Sequence, residues 1–186
     1  MTQRVASLLL CIGLAACATP PQPSASLPED SFIGAGDPTR AAIIGTAWAF
    51  GGTERLAGQP AAAAEAVANL SYLAAEIPTA PRWRQFSPII GVQLRQGEAE
   101  ARAALGIPPN APPQAVIDAL LAARTALRAG DMPGAEAALP AGVFPDGGRL
   151  VIARLGALPA MPAATAGTRG AVVEMNRDDA SADWPD

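Results

Sequence analysis

Apolar residues recur along this chain at helical spacing, and prolines stand where the runs begin. Asp37 followed by Pro38 predicts an N-cap and a first helical position. The run that follows carries Ile43, Ile44, Ala47, Trp48 and Phe50, read together as core, and stops at Gly51-Gly52. Pro60 opens an Ala-rich helix with Val67, Leu70, Leu73 or Ala74, and Ile77 on one face, closed by Pro78. Ser87-Pro88 repeats the cap-and-proline start for a helix ending at Gly97, and Glu98 to Leu105 reads as a further short one. The strongest stripe is Val116, Ile117, Leu120, Leu121 and Leu127, in a helix from Pro113 to Ala129. Gly130 ends it, Asp131 caps a short helix up to Leu139, Asp146 caps one through Leu155, and a last helix covers Ala163 to Met175. Val143-Phe144 and Leu150-Val151-Ile152 also suit short strands, and that alternative stays open here. No run alternates with period two for long enough to build a sheet. The expected fold is all-α: a compact bundle, or a short array, of six or seven helices over residues 37–176. The acidic end, 177–186, reads as a disordered tail in which Asp178, Asp179, Asp183 and Asp186 surround Trp184.

The first residues follow a different pattern. Arg4 precedes an apolar run from Val5 to Ala16, which meets Thr19-Pro20-Pro21 before reaching the ~20 residues a spanning helix needs. A basic start, a short apolar stretch and a small-residue site make a secretion signal. Leu14-Ala15-Ala16-Cys17 resembles the lipobox of bacterial lipoprotein precursors. That resemblance, confined to the first seventeen residues, implies removal of residues 1–16 and attachment of long acyl chains such as palmitate to Cys17. Two or more chains hold a protein stably on a bilayer, at ~0.8 kcal/mol per buried methylene. In this class an Asp after the cysteine often retains the protein at the inner membrane. Ala18 stands here instead, which implies the outer membrane, facing the periplasm. Residues 17–36, with Pro20, Pro21, Pro23 and Pro28, read as a Pro/Ser-rich tether.

Composition then narrows the chemistry. The mature chain of 170 residues would carry twelve arginines against seventeen acidic side chains, a balance of −5. Such a chain lacks the basic footprint that nucleic acid requires. It contains no histidine, and its two cysteines are Cys11, lost with the signal, and Cys17, used as the anchor. Ser–His–Asp and Cys–His catalysis and His/Cys zinc sites are therefore excluded. No cofactor is implied. A periplasmic domain without disulfides depends on its apolar core.

Leu94-Arg95-Gln96-Gly97-Glu98 is echoed 33 residues later by Leu127-Arg128-Ala129-Gly130-Asp131. A helix, a glycine turn and a second helix at this period resemble the tetratricopeptide class, which implies helical hairpins. Arg82-Trp83-Arg84-Gln85-Phe86 is the most distinctive candidate for binding. Two guanidiniums beside an indole suit a sugar ring, a carboxylate or a protein hot spot. The alternative is that Trp83 and Phe86 plug the core while the arginines stay wet. Glu98 and Arg102 are spaced for a surface pair worth a few tenths of a kcal/mol. Arg124 and Arg128 suit the dipole of a helix C-terminus. Glu65 and Glu76, three turns apart, are too distant for a carboxylate dyad. The resulting expectation is a lipid-anchored envelope protein whose helices dock a protein partner as an adaptor or assembly factor. Two other classes remain: a carboxylate-dependent enzyme or glycan-binding protein, and a purely structural lipoprotein.

Overall fold

The computed structural model describes residues 25–27 and 37–182; the signal, Cys17 and Gly34-Ala35-Gly36 lie outside them. Among the described residues there are seven α-helices and no strand. They are α1 (Pro38–Ala49), α2 (Pro60–Glu76), α3 (Pro88–Leu105), α4 (Pro113–Arg128), α5 (Met132–Ala137), α6 (Gly148–Leu155) and α7 (Pro162–Ala182), with 3-10 turns at Thr53–Arg55 and Pro81–Trp83. The all-α expectation holds. Val143 lies in a turn and Leu150–Ile152 in α6, so neither forms a strand.

Five of the seven helices open on proline, which lacks the N–H that a first helical turn leaves unpaired anyway. Asp37 caps α1, accepting from the N–H groups of Thr39 and Arg40. Asp131 caps α5 in the same way through Gly134. Asp146 does not cap α6: Gly147 occupies that position, and Asp146 pairs with Arg154 instead.

Helix α2 is the axis of the domain. Ala63, Ala64 and every residue from Ala66 to Ala75 are buried. A helix covered all round needs neighbours on every side, and α1, α3, α4 and α6 supply them. Alanine makes this possible, because a one-carbon side chain lets helices approach closely. Leu70 and Leu73, fully buried on α2, each contribute about 2 kcal/mol by leaving water.

Helices α3 and α7 form the second main layer, antiparallel and in close contact. Gly97 does not end a helix as its sequence position suggested; α3 runs through it. A Cβ added there would lie 2.5 Å from Ala164 Cα. Gly167 lies against the backbone of Leu94 and Gln93, 2.9 and 3.0 Å from a Cβ added there, and Gly170 faces the Ile90 side chain. Gly97 and Gly167 mark a seam along which backbones touch. Glu100 completes it by accepting from the N–H groups of Ala163 and Ala164 at the start of α7. A carboxylate suits that position, the positive end of the helix dipole.

The seam also revises the repeat. Gly97 is helical, whereas Gly130 turns the chain at φ +73°. The two echoed segments therefore have different structures. The principal helix pairs, α2 with α4 and α3 with α7, are not neighbours in sequence as in a stacked array.

Two further expectations change. Helix α7 continues to Ala182, past the expected start of a disordered tail at 177. Arg40 on α1 holds Asp179 through a two-point ion pair, and Glu174 accepts from Ser87 N–H and Arg177. Ile44 and Trp48 point outward, 56% and 58% exposed. The buried side of α1 is Thr39, Ala42, Ile43, Thr46 and Ala49, and Ile44 and Trp48 share the opposite stripe. The Arg55 guanidinium lies 5.4 Å from the Trp48 ring centre.

Candidate functional site

The connection from α2 to α3 folds into a tight loop whose 3-10 turn begins at Pro81. It turns Trp83 and Phe86 inward, 5% and 6% exposed, with ring centres 4.9 Å apart in an edge-on arrangement. The Trp83 indole N–H has no hydrogen-bond partner among the described residues. Arg82 lies over the Trp83 ring, 4.5 Å from its centre.

Arg82 is committed to the fold. It donates to Asp37 at 2.9 and 3.1 Å and to the Thr39 hydroxyl, and it lies 3.8 Å from Glu76. Thr39 in turn shares a 2.6 Å hydrogen bond with the buried Tyr72 hydroxyl. One side chain thus ties the start of α1 to the end of α2 and the loop. Burial pushes the Tyr72 phenol up, outweighing its bond to Thr39. Burial would also raise Asp37, but the bonds from Arg82 and the cap N–H groups outweigh it and hold the carboxyl below its ordinary 3.8.

A pH dependence follows. A carboxyl depressed in the folded state adds stability above the unfolded value and loses it as pH falls through the folded one. Stability is therefore expected to drop below about pH 4. Asp37→Asn, which keeps a cap acceptor, should flatten that acid limb in denaturant titrations. Equal slopes for the two proteins would show that the pair does not hold Asp37 ionised.

Arg84 and Arg95 contrast with Arg82. Both are exposed, and neither has a carboxylate partner among the described residues. They belong to a half-open groove of about 840 Å³. Its walls come from Ile77, Pro78, Trp83, Phe86, Gly91 and Val92, and no acidic residue lines it. Of the expected binding residues, the structure brings Trp83, Arg84 and Phe86 together at this groove and assigns Arg82 to the ion-pair network behind it. Arg95 was not anticipated. Its signal is positional: on α3 it lies one turn after Gly91, which packs closely against Pro78, and its guanidinium extends back over Gly91.

Arg95 also lines a second cavity of about 610 Å³, with Glu98, Arg102 and the loop up to Pro113. Here the surface pair expected of Glu98 and Arg102 proves to be an internal tie. Arg102 is 8% exposed and donates to Glu98, Pro108 O and Ala111 O. A third cavity, about 300 Å³ and wholly apolar or backbone-lined but for Thr165, opens between the end of α1 and the start of α7.

The other charged candidates are structural. Glu65 on α2 receives both Arg124, at 3.1 Å, and Arg128 from α4, so those arginines brace two helices rather than only a helix end. Among the described residues no three His, Cys, Asp or Glu side chains gather as a metal site, and no helix is long and apolar enough to cross a membrane. Comparison with known proteins finds no matching family model, curated protein or solved structure.

Proposed function

We propose that this protein is a lipid-anchored adaptor of the bacterial cell envelope that docks a segment of a partner protein in the groove beside Trp83. The observation that carries the reading is the pairing of an apolar wall with two guanidiniums, Arg84 and Arg95, that meet no carboxylate among the described residues. Such a surface suits an acidic peptide that also offers an apolar side chain. Guanidiniums recognise carboxylates by paired hydrogen bonds, and aromatic and arginine residues dominate binding hot spots. The lipobox at Leu14–Cys17 supports attachment through Cys17, on the periplasmic face of the outer membrane. A carboxylate-dependent enzyme or glycan-binding protein has less support. Glu98 is the one acid among the described residues lining the three cavities, and Arg102 already engages it.

The test is in-cell crosslinking of the full-length lipidated protein, then affinity capture and mass spectrometry. Arg84→Ala/Arg95→Ala should remove at least nine-tenths of one abundant partner while leaving the thermal midpoint unchanged, because neither guanidinium is tied into the fold. Capture that ignores this double substitution, or no partner above background, overturns the adaptor reading. Cys17→Ser protein that stays with membranes after a high-salt wash overturns the anchor.

A further inference from the structure

Residues 25–27 lie well outside the helices, yet they are attached to them. Ser26 N–H donates to Gln114 Oε1 at 2.8 Å, and Gln114 Nε2 donates back to Ser26 O at 3.2 Å. The same amide nitrogen donates to Asp118 Oδ1 at 2.7 Å, which fixes the Gln114 side chain on the first turns of α4. Ala25 and Leu27 pack against the core on either side. The expected tether of residues 17–36 is thus interrupted by a docked segment at the N-terminus of α4.

We infer that this clasp holds the domain close to the bilayer with the N-terminal end of α4 turned towards the lipid. The inference rests on the acylated Cys17 proposed above. Ala25 lies eight residue steps after Cys17, and a chain spans at most ~3.5 Å per residue, so the clasp lies within about 28 Å of the anchor. A domain held only at Asp37, twenty residues from Cys17, would reach about 70 Å. The clasp therefore removes more than half of the reach and chooses which end of the bundle stays near the surface. Gly106 to Ile117 contains no charged residue in a chain whose mature balance is −5, and the charges at its borders are the exposed Asp118 and the Asp146–Arg154 pair beside Gly106. The cavity that ends at Pro113 shares Arg95 with the docking groove, so a partner is received close to the membrane.

The experiment uses the full-length acylated protein in vesicles of phosphatidylethanolamine and phosphatidylglycerol, 3:1 on the order of an envelope's anionic content, with an acceptor dye on the headgroups. Acylation occupies Cys17, so Asn110→Cys and Ala129→Cys each supply a single thiol for the donor. The two exposed sites flank α4, whose sixteen residues separate them by about 24 Å. Energy transfer from position 110 should be at least twice that from 129, and Gln114→Ala should bring it down to the level of 129. Equal transfer at both positions, or no change in Gln114→Ala, overturns the orientation. Amide exchange at Ser26 separates the clasp from the anchor. Its protection should fall at least tenfold in Gln114→Ala whether or not the protein is acylated, and an unprotected Ser26 in the native chain overturns the clasp. Intact mass and vesicle sedimentation report the anchor by themselves, and a chain that neither gains acyl mass nor sediments fails that reading while leaving the Ser26 result to stand.

Discussion

Arg102→Ala is expected to lower the unfolding free energy by about 3 kcal/mol, enough to reduce the melting midpoint by roughly 6–12 °C in a domain of this size. The guanidinium is 8% exposed and makes bonds that nothing nearby replaces. Its Nε and Nη2 meet Glu98 at 3.0 and 2.9 Å, and its Nη1 donates to Pro108 O at 3.1 Å and Ala111 O at 3.0 Å. Truncation leaves a largely covered carboxylate and two loop carbonyls without a donor, each at a cost of about 1 kcal/mol or more. Glu98→Ala should cost less, because Arg102 would keep both carbonyls. Urea unfolding of the two variants checks the order. If Arg102→Ala stayed within half a kcal/mol of the native protein, the pair would be an ordinary exposed i,i+4 contact. Faster amide exchange at Ile107 and Ala111, whose segment leads to the clasp on α4, is the local sign of the same loss.

The second large effect reverses the usual rule for glycine in a helix. Ala for Gly in a helix interior ordinarily stabilises by about 0.5–1 kcal/mol. Gly45→Ala should follow that rule, since a Cβ there meets nothing within 4 Å. Gly97→Ala should instead destabilise by about 2 kcal/mol, as overpacking does when backbone rather than side chain must yield. The new methyl would lie 2.5 Å from Ala164 Cα and 2.7 Å from Ala164 N. Moving α7 away to relieve it pulls Ala163 and Ala164 from the Glu100 carboxylate that caps them. Denaturant unfolding of both variants decides the point. A Gly97→Ala protein as stable as the native one would mean that α3 and α7 do not meet at backbone distance.

The helix starts at Pro38, Pro60, Pro88 and Pro113, and the caps at Asp37 and Asp131, are legible in sequence because their cause is local. A proline ring or a short carboxylate acts on backbone groups within one turn. The all-α class follows equally, from the absence of any sustained period-two run. At the candidate site the loop around Trp83 stands out by composition, and the structure bears out the core-packing expectation for its two aromatic rings. Trp83 and Phe86 fill the core, and they also wall the groove that Arg84 overlooks.

What sequence could not supply is the partner of each long side chain. Arg82 and Arg84 are two residues apart, yet one is consumed by Asp37, 45 residues away, and the other faces solvent. Glu65 meets Arg124 across 59 positions, and Arg40 meets Asp179 across 139, on the stretch of α7 where acidic composition suggested a free tail. Gly97 reads as a helix stop because glycine usually breaks helices, but contact with Ala164 gives it another use. The sequence by itself determined that the elements are helices and where the proline-led ones start, since these depend on neighbours along the chain. Only the tertiary structure decided which charges are spent on the fold, that Arg84 and Arg95 meet no carboxylate among the described residues, and that Ser26 is held by Gln114. Those outcomes depend on residues brought together by packing, and spacing along the chain carries no record of them.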